Sequence, residues 1–116
     1  MWALGVFLHE MLAGKPPFWP EQVFGEAQKG LMQLFELIVK STPRLAEPCF
    51  TAPAKKVITA LLRKKAATRL GCLAGGFDDV KREEFFKGFD WAALQEGRMP
   101  PPFVPTVHLA VSGLGW

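Results

Sequence analysis

Residues 69–90 read R-L-G-C-L-A-G-G-F-D-D-V-K-R-E-E-F-F-K-G-F-D, and the chain continues W-A-A-L-Q-E-G-R-M-P-P-P-F-V-P to Pro105. No common catalytic template accounts for this run: it has no metal-ligand spacing and no nucleophile with a nearby base. Its order is nonetheless specific. An Arg69-Leu70-Gly71 turn leads to a flexible Gly75-Gly76 pair. A short helix is expected to start at Asp78-Asp79, where acids favour the positive end of the helix dipole, and to end on Phe85-Phe86. Gly88 breaks it, Asp90 caps another helix, and Gly97 stops that one before Pro100-Pro101-Pro102.

Upstream, Val57, Ile58, Leu61 and Leu62 fall on one helical face, behind Thr51 as N-cap and Pro53 in the first turn. Pro43 and Pro48 make the preceding stretch extended. Leu31 to Lys40 carries apolar residues at Leu31, Leu34, Phe35, Ile38 and Val39, the spacing of an amphipathic helix. Residues 19–30, with Trp19, Pro20, Gly25 and Gly30, form a loop or weak helix. The opening run Met1 to Ala13 is apolar on almost every face, which suits a helix buried all round. Gly14 ends it and Pro16-Pro17 prevents its continuation. Such a helix wants neighbours on every side, and this chain has few residues to supply them. Strand signals are weak throughout and no repeat is present, so the fold class is all-α.

The totals set bounds. A chain of 116 residues is at most one small domain, able to bury about two-thirds of its unfolded surface. With 49% hydrophobic residues it is not disordered by composition, and a formal charge of +3 does not by itself imply nucleic acid. Cys49 and Cys72 make neither a disulfide framework nor a zinc pattern, so a reduced intracellular, cytoplasmic setting is expected. No basic region precedes the opening apolar run, which Glu10 interrupts, so a signal peptide is not expected. No stretch reaches the roughly 18 apolar residues of a membrane span.

The run from Arg69 resembles the end of the catalytic domain of AGC-group serine/threonine protein kinases, most nearly the cGMP-dependent kinases. The family pattern is approximately R-L-G-x-x-x-x-G-x-x-D-[IV]-K-x-H-x-[FW]-F-x-G-[FI]-[ND]-W-x-x-L-x-x-G-x-x-x-P-P-x-x-P. Arg69, Leu70, Gly71, Gly76, Asp79, Val80, Lys81, Phe85, Phe86, Gly88, Phe89, Asp90, Trp91, Leu94, Gly97, Pro101, Pro102 and Pro105 match it, and the family's usual His falls on Glu83. The opening helix resembles kinase helix F, D-x-W-x-x-G-[VI]-x-x-x-E-[ML]-x-x-G-x-x-P-F, through Trp2, Gly5, Val6, Glu10, Met11, Gly14, Pro17 and Phe18. The family's leading Asp would sit one position before Met1, which suggests an internal methionine or a fragment. By this resemblance residues 1–86 are a partial catalytic domain, helices F to I of the large lobe, and residues 87–116 a segment of the C-terminal tail. The later aromatic F-x-x-[FY] motif of such tails is missing, and nothing after Pro105 is recognisable.

The resemblance implies roles. Glu10 would face the substrate cleft near a basic residue before the acceptor; the plainer alternative is a paired or solvated carboxylate at a helix end. Phe7 and Met11 would support the apolar stack beneath the adenine ring, or simply pack a core. Arg69 would pair with the Glu of an A-P-E motif that this chain lacks, leaving a charge without its partner and a looser region; the alternative is a surface Arg. A buried charge that loses its partner typically costs about 3–5 kcal/mol. Trp2 and Trp91 would be structural. Lys55, Lys56, Arg63, Lys64, Lys65 and Arg69 form a basic bias with no acid between Pro48 and Phe77. A phosphate-binding surface is one reading; a solvated helix face is favoured, since no aromatic interleaves the run. Gly71, Gly75 and Gly76 are not a phosphate loop, because Gly76 is followed by Phe77 rather than G-K-[ST]. His9 and His108 lack ligand spacing; His9 is expected to be buried or capping, and His108 to sit in a mobile tail.

Phosphoryl transfer needs a Gly-rich loop, a strand Lys, a catalytic Asp with its Asn, and a D-F-G Asp for magnesium. None of G-x-G-x-x-G, V-A-I-K, H-R-D or D-F-G is present. The expectation is therefore part of a kinase that would use ATP and Mg2+ to phosphorylate Ser or Thr of basic protein substrates. The isolated chain is expected to be inactive and to bind neither cofactor directly. Its expected partners are basic protein substrates and the rest of the kinase lobe, with no membrane span and no nucleic acid. The alternative is a free-standing interaction module that kept helices F to I without catalysis.

Overall fold

The computed structural model describes residues 1–20 and 27–106. Readings that fall on residues 21–26 and 107–116, His108 included, lie outside the described residues. Five α-helices follow in order: α1 Trp2–Ala13, α2 Ala27–Lys40, α3 Ala52–Leu61, α4 Phe77–Lys81 and α5 Trp91–Gln95. Short 3-10 turns span Ala66–Thr68 and Glu84–Phe86. No strand occurs among the described residues, so the fold is all-α.

The core forms where α1 crosses α3. Val57, Ile58, Leu61 and Leu62 are buried and meet Phe18, Phe50, Leu70 and Val80 in one cluster. The close crossing depends on Gly5: a Cβ there would lie 2.8 Å from Leu62 Cδ2 and 2.9 Å from Leu61 Cβ. Thr51 caps α3 as its sequence predicts, its side chain accepting from the Ala54 N–H. Asp90 does the same for α5, accepting from the Ala93 N–H at 2.9 Å. Gly14 closes α1 in the left-handed region, φ 69°, where its N–H reaches the Glu10 carbonyl at 2.8 Å.

Three expectations are corrected. First, α1 is not buried all round. Gly5 and His9 are buried, but Phe7 is 59% and Met11 66% exposed. Among the described residues α3, the Phe18 segment and the stretch carrying Arg44 and Phe50 pack on the Gly5 and His9 side of the helix, and Phe7 and Met11 face water. Second, α2 begins at Ala27, four residues before the expected start, and turns Leu34, Leu37 and Ile38 toward the core. Leu31, Phe35 and Val39 point outward with Met32, leaving a second apolar face. Third, the expected single helix from Asp78 to Phe86 is two pieces. α4 stops at Lys81, Glu83 is extended (φ −62°, ψ 142°), and a 3-10 turn carries Phe85 and Phe86. An unbroken helix would set Val80 and Phe85 about 140° apart around its axis. The break lets buried Val80 and both phenylalanines pack against the same cluster.

The other end of the chain is tied by aromatic rings. Trp91 makes edge contacts with Phe77 at 5.8 Å, Phe86 at 5.2 Å and Phe89 at 4.7 Å. These rings hold α5 against α4 and the 3-10 turn.

Candidate functional site

The sharpest geometry lies where α1 ends. Gly14 turns the chain into Lys15-Pro16-Pro17, and the prolines direct Phe18 into the core while Trp19 stays 58% exposed. A cavity of about 570 Å3 opens there, lined by His9, Glu10, Lys15, Pro17, Trp19 and Arg44 among others. Glu10 is exposed, so the desolvation cost that a wholly buried α1 would have imposed on its carboxylate does not arise. A carboxylate beside an exposed indole suits a cation: the oxygens pair with it and the ring face attracts it. Arg44 of this chain also lines the cavity.

His9 forms the floor. It is 1% exposed, with its ring against Phe50 at 4.8 Å between centroids. Nδ1 lies 2.9 Å from the Lys15 carbonyl oxygen and Nε2 2.7 Å from that of Arg44. Above it Lys15 Nζ donates to Glu47 Oε1 at 2.6 Å. That hydrogen bond, and then the Lys15 charge, hold the Glu47 carboxyl below its ordinary value of 4.5. A smaller pull comes from His9, against an opposing effect of burial.

The remaining sequence-selected residues lie elsewhere. Phe7 and Met11 are on the exposed face of α1 and do not line the cavity. Trp2 and Arg69 meet each other, with the Arg69 guanidinium carbon 5.2 Å from the indole centroid. Arg69 pairs with no carboxylate among the described residues. Its Nε donates to the Arg63 carbonyl at 2.9 Å and an Nη to that of Lys64 at 3.2 Å. The expected partnerless charge is therefore held by two backbone acceptors and a ring. Trp2 also stacks on Phe18, 5.8 Å apart and 7° from parallel. Lys64 Nζ sits 4.0 Å from the Phe18 centroid and donates to the Ile38 carbonyl, fastening α2 to this end of α1. Partial burial there pulls its ammonium below the ordinary lysine range.

Part of the basic bias lines a second groove of about 530 Å3, with Lys55 and Lys56 on α3 and Arg63 just past its end. The acid missing from the local sequence arrives from α4's exit: Glu83 Oε2 lies 3.5 Å from Lys56 Nζ. Arg63 is itself taken up by the Thr68 carbonyl at 2.9 Å. Among the described residues no three His, Cys, Asp or Glu side chains gather to hold a metal ion, and the glycine turn carries no phosphate-loop lysine. No helix among the described residues is long and apolar enough to cross a membrane.

What sequence reasoning missed is Trp19, Lys15 and Arg44 around Glu10. The one local signal was Gly14-Lys15-Pro16-Pro17, which forces the chain back over the helix end. Arg44 gave none, being brought in from 35 positions beyond His9.

No family model matches the chain. Curated relatives do. It is 40% identical over 107 residues to a cAMP-dependent protein kinase catalytic subunit 3 of Drosophila melanogaster, covering 92% of this chain and 17% of that protein. It is 38% identical over 109 residues to the cGMP-dependent protein kinase, isozyme 1, of the same organism, covering 92% of this chain and 13% of that protein. A probable cAMP-dependent catalytic subunit of Encephalitozoon cuniculi is 35% identical over 97% of this chain and 32% of its own length. The chain thus spans no more than about a third of these relatives. The cAMP- and cGMP-dependent relatives match almost equally, which does not single out the cGMP-dependent group.

Proposed function

The chain belongs to the AGC-group serine/threonine protein kinases, as a C-terminal stretch of their large lobe, and from that premise we propose that it contributes substrate docking to a kinase. The longer protein transfers the γ-phosphate of ATP, with Mg2+, to Ser or Thr of protein substrates that carry basic residues. In this reading Glu10 receives an arginine or lysine of the substrate, and exposed Trp19 offers its ring to the same cation. The observation that carries it is the exposed Glu10 carboxylate at the mouth of the 570 Å3 cavity. The phosphotransfer groups lie outside these residues, so no chemical step is assigned to this chain.

Two measurements test the reading. In the longer kinase, Glu10→Lys should raise KM for an arginine-containing peptide by roughly tenfold or more, the loss of one charge-assisted pair. It should leave an uncharged peptide unaffected; equal effects on both would remove the assignment. The isolated 116-residue chain should show no magnesium-dependent ATP turnover, and measurable turnover would overturn that part of the proposal.

A second reading, a non-catalytic interaction module, draws on the outward apolar residues of α1 and α2. Phe7, Met11, Met32 and Val39 are each more than half exposed. Surfaces of that kind mark protein contacts.

A further inference from the structure

We infer that His9 works as a doubly protonated clamp holding the two walls of the Glu10 cavity together, which makes that cavity's shape sensitive to pH. The inference rests on the reading of the cavity as a docking site only for its functional consequence. The clamp itself stands on geometry. Both ring nitrogens face main-chain carbonyl oxygens, Lys15 at 2.9 Å and Arg44 at 2.7 Å. A carbonyl oxygen can only accept, so each nitrogen must donate. A neutral imidazole has one N–H, whichever tautomer it adopts; only the imidazolium has two. At 1% exposure water does not stand in for the missing donor. A buried carbonyl facing a lone pair at that distance carries the full cost of an unmade bond.

The two carbonyls belong to different parts of the chain. Lys15 is the exit of α1, and Arg44 is in the extended segment that leads to α3. Both residues also line the cavity with Glu10. The charged groups around the ring are Glu10 and Lys15 on the α1 side, and Arg44 and Glu47 on the extended segment. The Lys15–Glu47 pair at 2.6 Å closes over the same seam. Glu47, already paired with Lys15, is the carboxylate on the Arg44 side of that seam. From the Phe50 side the ring meets only an apolar face. Loss of a ring proton breaks one of the ring's two bonds, to Lys15 at the α1 exit or to Arg44 across the seam, so Lys15 and Arg44 are no longer held in fixed relation through the ring. The cavity then loses its fixed width. His9 is thus a positioning residue and does not contact the docked cation.

The test begins with the full chain labelled at the imidazole nitrogens. At neutral pH both His9 nitrogens should give protonated, solvent-protected resonances; a neutral tautomer would overturn the clamp. The second readout is the thermal midpoint of the wild type against His9→Gln, which has no ring and no charge. From about pH 8 to about pH 5.5 the gap between them should widen by about 5 °C. A gap independent of pH would mean that a neutral ring suffices and would overturn the proposal. If His9→Gln does not fold, the nitrogen resonances alone decide. Docking is measured separately, by binding of an arginine-containing peptide. A charged ring with no peptide binding overturns the docking reading alone. A neutral ring with intact peptide binding overturns the clamp alone.

Discussion

Individual side chains do more here than their sequence neighbourhood suggests. Lys15 is an unremarkable surface lysine by pattern, yet its contact with Glu47 crosses the cavity seam. The sign of its pH dependence follows from the shift. The folded Glu47 carboxyl lies below its ordinary value, so the pair contributes stability above that value and loses it as pH falls through the folded one. Lys15→Ala should therefore lower the denaturation midpoint at about pH 7, with a smaller deficit at about pH 3, below the ordinary carboxyl value. A deficit of the same size at both pH values would assign the loss to packing by the lysine stem instead. Arg69 teaches a related lesson. Its expected acidic partner is absent from the sequence, but a guanidinium has five donors and a flat face, and two carbonyls and Trp2 use them.

At the scale of elements, the α1–α3 crossing is the most sharply specified contact. Gly5→Ala would drive a methyl into Leu61 and Leu62, and should cost about 1–3 kcal/mol as overpacking, read from the denaturant midpoint at unchanged slope. Substitution of exposed Ala3 by Ser serves as the control. The elements legible in the sequence were those fixed by local chemistry. Thr51 and Asp90 cap through bonds three residues ahead, and the α3 face repeats at helical spacing. What was not legible depended on neighbours distant in sequence. The broken α4 follows from the need for Val80, Phe85 and Phe86 to reach one cluster, which no local pattern encodes. His9 could be foreseen as buried, but its second acceptor comes from a segment whose path is set by packing.

For the whole molecule, size and surface tell the same story. The radius of gyration is 18.4 Å, against about 13 Å for a compact chain of this length. The chain extends over 45 × 43 × 30 Å, and Phe7, Met11, Met32, Phe35, Val39 and Phe103 are each more than half exposed. Phe7 and Met11 explain why α1 reads as fully buried in sequence: its composition fits a helix with partners on all sides, and among the described residues one side is left exposed. The purified chain should bind a hydrophobic dye and elute larger than a monomer at rising concentration. A monodisperse monomer with cooperative unfolding would instead favour the interaction module. The family kinship rests on motifs legible from the start, whereas the cGMP-dependent assignment was finer than the comparisons carry.

The ring cluster around Trp91 has a consequence for the order of assembly. Phe77, Phe86, Phe89 and Trp91 find one another within a single short span of chain, so little loop entropy stands in their way. The α1–α3 crossing must join segments separated by the whole of α2 and its flanking loops. Short-range closure is the faster event. The ring cluster is therefore expected to close before α1 docks on α3 and completes the cavity, an order that rates of folding for Trp91 and Gly5 variants would check.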